Sequence, residues 1–267
     1  MACTTLLKLN IKIIIKSNKS NEKSQAPALE KGLLILECLS DQPEPLTLSQ
    51  LAVKMERNVS EIQRMVNVLH GSGYLIRSAQ GGYWLSSKLY RMALRYPPYR
   101  DLEVLLRPAM YAFVDYTQES VHLCLLQETE MVVVAQVESP KIARISLQLG
   151  QAQDPVETVS GRVLLAGLPE QELDIILKKS ALNAKKLTWL KQRLAEIQER
   201  GYESMESNVY SGVYDLGIPV KSAQGNVLAV LTTTWLATKE VQASNRQPTV
   251  EKALLTALQS ALEDCQI

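Results

Sequence analysis

"LTLSQLAVKMERNVSEIQRMVNVLHGSGYLIRSAQGGYWLSSKLYRMA", residues 46 to 93, alternates helical spacing with turn chemistry in an order that decides the fold around it. Thr47 and Gln50 stand at the spacing of a capping box, in which each side chain satisfies an orphan amide of the first turn, and this predicts a short helix to about Met55. Asn58 or Ser60 offers the next N-cap, with Glu61 three residues after Asn58. From there Ile62, Met65, Val66 and Leu69 recur at helical spacing, and the helix is expected to end at Gly71 or Gly73. In "YLIRSAQGGYWLS", two short runs rich in Tyr, Ile, Trp and Leu flank Gly81-Gly82, which permit the positive φ angles of a tight hairpin. Upstream, "ALEKGLLILECLS" (28 to 40) sets Leu29, Leu33, Leu36 and Leu39 or Ser40 on one more helix, stopped by the turn-forming "SDQPEP". Three helices and a hairpin make a winged helix-turn-helix.

In that architecture the helix after the turn enters the major groove, so its solvent face needs groups that bond bases and phosphates. Gln63, Arg64 and Asn67 are such groups: Gln and Asn pair bidentately with adenine, Arg with guanine. Arg77 on the hairpin is placed for a phosphate or the minor groove. Thr47 and Ser60, at the starts of the second and third helices, complete the candidate DNA-binding set. The plainer alternative is that these polar residues are the solvated side of an ordinary helix; the order of elements, more than the face, argues for DNA. His70 is read as a partly solvated side chain near a helix end, and Glu61 as a helix cap.

The chain as a whole has 267 residues, 46% hydrophobic and 21% charged, which exceeds the usual single domain and predicts two. Its apolar runs are shorter than the ~20 residues that cross a bilayer, and "LLKLNIKIII" near the start is broken by Lys8, Asn10 and Lys12, so no membrane partner is expected. Residues 1–25 read as a basic flexible leader; an amphipathic surface helix, or sequence from a start codon set too far upstream, are the alternatives. Cys3, Cys38, Cys124 and Cys265 share no metal-ligand spacing, and only His70 and His122 are present, so free thiols in the cytoplasm, no metal and no cofactor are expected. Through Pro98 there are 13 Lys+Arg against 7 Asp+Glu, and beyond it 16 against 21. That asymmetry suits a nucleic-acid-binding module followed by an unrelated domain, although five of the lysines lie in the leader.

The opening run resembles the DNA-binding domain of the IclR family of bacterial transcriptional regulators. Farther on, "ETVSGRVLLAGLP" (157 to 169) is similar to that family's Thr-Ala-Ser-Gly-Lys/Arg-Ala-Leu-Leu-Ala segment, and "RGYESMESNVYSGVYDLGIPV" (200 to 220) to its Arg-Gly-Tyr … Gly-Val … Ala-Pro-Val segment. The three ordered blocks span most of residues 26 to 262. The resemblance implies an α+β chain: a winged helix-turn-helix with its linker helix over 26–98, then a GAF-like α/β domain over 99–267 that binds an effector and oligomerises. It further implies a homodimer or tetramer on double-stranded operator DNA, tuned by a small-molecule effector, such as a small organic or aromatic acid.

Periodicity alone gives the second half a matching outline. "DLEVLLRPAMYAFVDYTQES" has helical spacing, "VHLCLLQETEMVVVAQVES" holds two apolar runs around "QETE", and "EQELDIILKKSA" and "LTWLKQRLAEIQERG" read as helices, the latter closed by Gly201. "VYDLGIPVKSAQGNVLAVLTTTW" reads as two antiparallel strands joined at "SAQGN", and "TVEKALLTALQSALEDC" as a last helix. The domain junction is expected at Pro97-Pro98. Carried over block by block, the resemblance implies an effector pocket at Thr158, Ser160 and Gly161, at Val213 and Asp215, and at Thr232 and Thr234. Amides at a helix start and threonine hydroxyls can hold a carboxylate without a cation. Asp215 departs from that pattern, since a buried carboxylate repels an anionic ligand unless protonated or paired, and suits hydroxyl or amine donors better. The turn "MERNVSEIQ" also departs, having neither the Gly nor the Ser-Thr pair common there. An enzyme is the rival class, but no G-x-S-x-G, P-loop, G-x-G-x-x-G or H-E-x-x-H occurs, and no catalytic residue is assigned. His122 and Cys124 alternate on a strand and are read as core residues. A protein-interaction module would leave the wing unexplained.

Overall fold

The structure, a computed structural model, describes residues 26–95, 97–180, 182–207, 210–238, 241 and 246–263. The expected leader, 1–25, lies outside the described residues. Chain contacts divide the protein after Arg95 into two compact units.

The first unit holds α1 (Pro27–Ser40), α2 (Leu48–Lys54), α3 (Val59–Gly71), β1 (Leu75–Arg77), β2 (Tyr83–Leu85) and α4 (Lys88–Ala93). The capping box forms: Thr47 donates its amide to Gln50 Oε1 at 2.8 Å, and Gln50 returns its amide to Thr47 Oγ1 at 3.4 Å. Ile35, Leu39, Leu51, Ile62, Val66 and Leu75 meet in one core, each worth roughly 1.5–3 kcal/mol for removal from water. The wing gains a third strand segment, because Leu46 and Tyr83 exchange backbone hydrogen bonds at 3.0 and 2.7 Å. Gly81 turns the hairpin at φ +86°, a conformation that costs glycine nothing.

One local expectation needs correction. Asn58 is the N-cap of α3, but no side chain bonds the cap. Glu61 bridges across to Lys31 of α1 at 3.2 Å and touches the Asn58 side-chain amide at 3.4 Å instead, so it ties two helices together and does not cap one. The turn between α2 and α3, lacking the usual glycine, places Glu56 at φ +53°, which strains a residue with a Cβ.

The second unit begins with α5 (Pro97–Thr117), whose first turn contains the two prolines expected at the junction; a first-turn amide has no helical acceptor, so proline fits there. There follow β3 (Ser120–Gln127), β4 (Glu130–Val137), β5 (Ala152–Gln153), α6 (Val159–Ala166), α7 (Glu170–Lys179), α8 (Ala184–Arg200), β6 (Glu203–Glu206), β7 (Val213–Lys221), β8 (Val227–Leu236) and α9 (Gln247–Glu263). The six strands form one antiparallel sheet in the order β5-β4-β3-β8-β7-β6. Both edge strands escaped the sequence reading: β5 has two residues, and "ESME" of β6 shows no apolar alternation.

Side chains alternate across the sheet with period two, and the two faces receive different helices. Phe113 of α5 and Leu258 of α9 pack on Leu123, Leu216, Leu231 and Trp235. On the opposite face Leu165 of α6, Ile176 of α7 and Leu190 and Leu194 of α8 pack on Met131, Val133 and Val230. The hairpin β7-β8 turns at "SAQGN" as expected, with Gly225 at φ +87°, and α8 ends in left-handed Gly201 at φ +78°. Among the described residues no helix is long and apolar enough to cross a membrane, and no group of three His, Cys, Asp or Glu is placed to hold a metal ion.

Candidate functional site

Two surfaces carry the residues singled out by the sequence, one on each unit. On α3, a rotation of ~100° per residue puts Ser60, Gln63, Arg64 and Asn67 in an arc of about 100°, opposite buried Ile62 and Val66. All four are exposed. Arg64 stands at the edge of that arc, where it also lines a groove with Leu29, Leu33 and Val68 between α1 and α3. Thr47 is exposed, but its hydroxyl is spent on Gln50, donating to Oε1 at 2.8 Å while accepting the amide. Arg77 lies over the Tyr83 ring, 5.6 Å from its centroid, and His70 meets the same ring edge-on at 6.0 Å. The Lys31 ammonium holds the Glu61 carboxyl below its usual range. Glu61 sits about 100° round the helix from Ser60, so its charge turns toward α1 and away from the polar arc.

The second surface is a cavity of about 630 Å³ between α6 and the sheet. Register explains which side chains meet there. His122 pairs with Thr232, Thr232 with Gly217 and Gly217 with Glu203, while Thr234 pairs with Asp215 and Asp215 with Met205. Both rows therefore point to one face of the sheet. Across from them α6 begins at Thr158, whose Oγ1 accepts the Gly161 amide at 3.0 Å. The amides of Val159 and Ser160 have no acceptor within their own helix. A Cβ on Gly161 would stand 2.2 Å from Pro155 Cα, so only glycine lets the helix start against this loop.

Of the residues expected in the pocket, Thr158, Ser160, Val213, Asp215 and Thr234 line the cavity. Gly161 and Thr232 do not; Gly161 packs on Pro155, and Thr232 is buried behind the wall, where its Oγ1 is 2.9 Å from Ser160 Oγ. His122, read from sequence as core, is 4% exposed yet lines the cavity. Burial pushes its imidazole down to about 4, so it is neutral near pH 7 and carries one N–H and one lone pair. Cys124, two residues on, is sealed beneath, and burial pushes its thiol up to about 12; it is no nucleophile. Ile145, Leu147, Met205 and Tyr210 join the lining from loops and the edge strand, and no periodicity in the sequence marked them.

Arg162, 1% exposed, anchors the floor. Its Nε donates to both Glu203 carboxylate oxygens at 2.9 Å, and its Nη1 to the Val156 carbonyl at 2.9 Å. Arg193 adds a further bond to Glu203, from its Nε at 2.9 Å. A buried pair bonded in this way fixes geometry more than it adds stability, and it commits the Arg162 charge to Glu203. Burial raises the Asp215 carboxyl above its usual range, with the Thr234 bond and Arg162 acting weakly the other way. The arrangement can enclose a small, partly apolar molecule and bond its polar end; it assembles no activated nucleophile.

Residues 28–78 match the IclR helix-turn-helix domain, and residues 98–261 the bacterial transcriptional regulator IclR C-terminal domain. The HTH-type transcriptional repressor AllR of Klebsiella pneumoniae is 24% identical over 214 residues, 78% of this chain and 79% of that protein. AllR of Escherichia coli strain K12 is 23% identical with the same coverage. Among solved structures, Thermotoga maritima IclR superposes with a TM-score of 0.67 at 23% identity, covering 90% of this chain and 97% of that one. An IclR homolog from Microbacterium hydrocarbonoxydans, complexed with 4-hydroxybenzoate, gives 0.71 at 18% identity, covering 88% and 99%. At such identities the superpositions speak to the fold.

Proposed function

The chain belongs to the IclR family of bacterial transcriptional regulators, and from that premise we propose how it divides the work: residues 26–98 bind operator DNA, and residues 99–267 bind an effector and oligomerise. As a member of that family it is a DNA-binding regulator and not an enzyme. On DNA, Gln63 and Asn67 meet base edges, Ser60 and Arg77 meet the backbone, Arg64 serves from the edge of the arc, and Thr47 acts through the capping box that starts α2. A homodimer or tetramer presents two such helices to a roughly palindromic double-stranded operator in the cytoplasm.

The observation that carries the sensing half is the cavity, in whose wall His122, Ser160, Asp215 and Thr234 set polar groups among apolar ones. A small organic molecule bound there shifts operator affinity by favouring one arrangement of the oligomer over another. The 4-hydroxybenzoate complex of the Microbacterium homolog supports an organic effector, and the amides of Val159 and Ser160 suit an acidic group on it.

The test is a gel shift of the full chain on DNA selected from random sequence, at ~0.15 M salt. Selected DNA is expected to bind at least ~10³-fold tighter than random DNA, with Gln63→Ala and Asn67→Ala each removing about 1–3 kcal/mol of that preference. Equal affinity for selected and random DNA would end the proposal.

A further inference from the structure

The charge of the cavity is lopsided, and this bears on what it holds; the inference rests on the effector reading above. Glu157, Arg162, Glu206 and Asp215 line it. Arg162 is committed to Glu203, and Glu157 pairs with Lys186 at the rim. Glu206 takes the Gly212 amide at 2.8 Å. Asp215 has a single bond, from Thr234 Oγ1 at 2.5 Å. Among the described residues no cation pairs with Asp215 or Glu206, and no donor reaches Asp215 Oδ2.

A carboxylate offers about four acceptor positions, so a half-buried one with a single donor has acceptor capacity to spare. On the same face of the sheet, two strands away, His122 is 4% exposed, lines the same cavity and has no hydrogen-bond partner among the described residues. Two polar groups that face the cavity with hydrogen-bonding capacity to spare mark a place where a ligand can be held. Among the described residues, an anionic ligand meets the carboxylates of Asp215 and Glu206, while the cation in the lining, Arg162, is bonded to Glu203.

We infer that the effector carries a protonated amine, seated on Asp215. Its N–H groups donate to Asp215 Oδ2 and to a lone pair of Thr234 Oγ1, and His122 is left to bond another polar group on the same molecule. The apolar body of the molecule lies against Met131, Leu147, Val213 and Leu236. A simple amine and an amino acid share this chemistry; they differ in whether a carboxylate also reaches the amides of Val159 and Ser160.

The experiment is isothermal titration of the full chain at about pH 7 with matched sets. One set is benzylamine, benzyl alcohol, benzoate and phenylalanine; the other is butylamine, butanol, butyrate and norleucine. Within each set the amine or the amino acid is expected to bind at least about tenfold tighter than the carboxylate, and Asp215→Asn to lose that preference while alcohol binding stays within about threefold. The amino acid outbinding the amine assigns a second contact at α6. A carboxylate that outbinds its amine, or an Asp215→Asn protein that keeps the amine preference, overturns the inference and leaves the effector cavity standing. Absence of any binding overturns both. The wild-type ranking decides alone if the variant does not fold.

Discussion

Replacing His122 with Gln isolates what it costs this fold to keep an imidazole between the sheet and α6. His122 is 4% exposed, and burial lowers its pKa from 6.5 to about 4. The depressed value means that the unfolded chain takes up the proton more readily, so stability is complete above pH 6.5 and falls as the pH drops toward 4. The full loss from the two values is about 3 kcal/mol, of which about 2 kcal/mol is reached at pH 5. Glutamine has a similar volume and does not titrate there, so the variant loses this part of the acid sensitivity whatever its stability at neutral pH. Asp215 contributes in the opposite sense, because its raised pKa makes protonation favour the folded state; it is present in both proteins and cancels in the difference. Urea unfolding followed by Trp235 fluorescence, with Trp84 and Trp189 replaced by Phe, reports on the second unit, because Trp235 is 2% exposed in its core. Wild type is expected to lose about 2 kcal/mol more than His122→Gln between pH 7.5 and pH 5. Parallel curves, within about 0.5 kcal/mol over that range, would refute the reasoning that burial alone sets the charge of His122.

Three further outcomes follow from single contacts. Gly161→Ala forces a Cβ to within 2.2 Å of Pro155 Cα and is expected to destabilise the second unit by about 1–3 kcal/mol, read from the same Trp235 transition. Arg162→Met leaves Glu203 buried with Arg193 as its one cation; a loss of about 3–5 kcal/mol is expected, and Arg162→Met with Glu203→Leu should recover part of it. Glu56→Gly relieves the left-handed turn before α3 and is expected to stabilise the first unit by up to about 1 kcal/mol, read from urea unfolding followed by Trp84.

Most of the first unit could be read from its sequence because its signals are local. The Thr47–Gln50 box, the stripe from Ile62 to Leu69 and the Gly81 turn each act within a few residues, and local chemistry satisfies them in the folded protein. Glu61 was the exception: its spacing from Asn58 suggested a cap, but Lys31, thirty residues away, offered a full charge where the cap offered one amide. In the second unit the helices and the long strands were legible for the same reason, and the short edges β5 and β6 were not, because a strand of two or four residues takes its identity from its neighbour.

By itself the sequence determined the order of elements, the two-part organisation and the family, since these rest on periodicity and on three ordered blocks. The cavity wall was decided only by tertiary structure. Antiparallel register set His122 beside Thr232 and Asp215 beside Thr234, across separations of more than a hundred residues and of nineteen. The same register, with Glu203 opposite Gly217, turned Arg162 from a potential ligand cation into a buried strut. Hydrophobic periodicity says which face of a strand is buried, but only the pairing of strands says which polar groups share that face and which of them are left without partners.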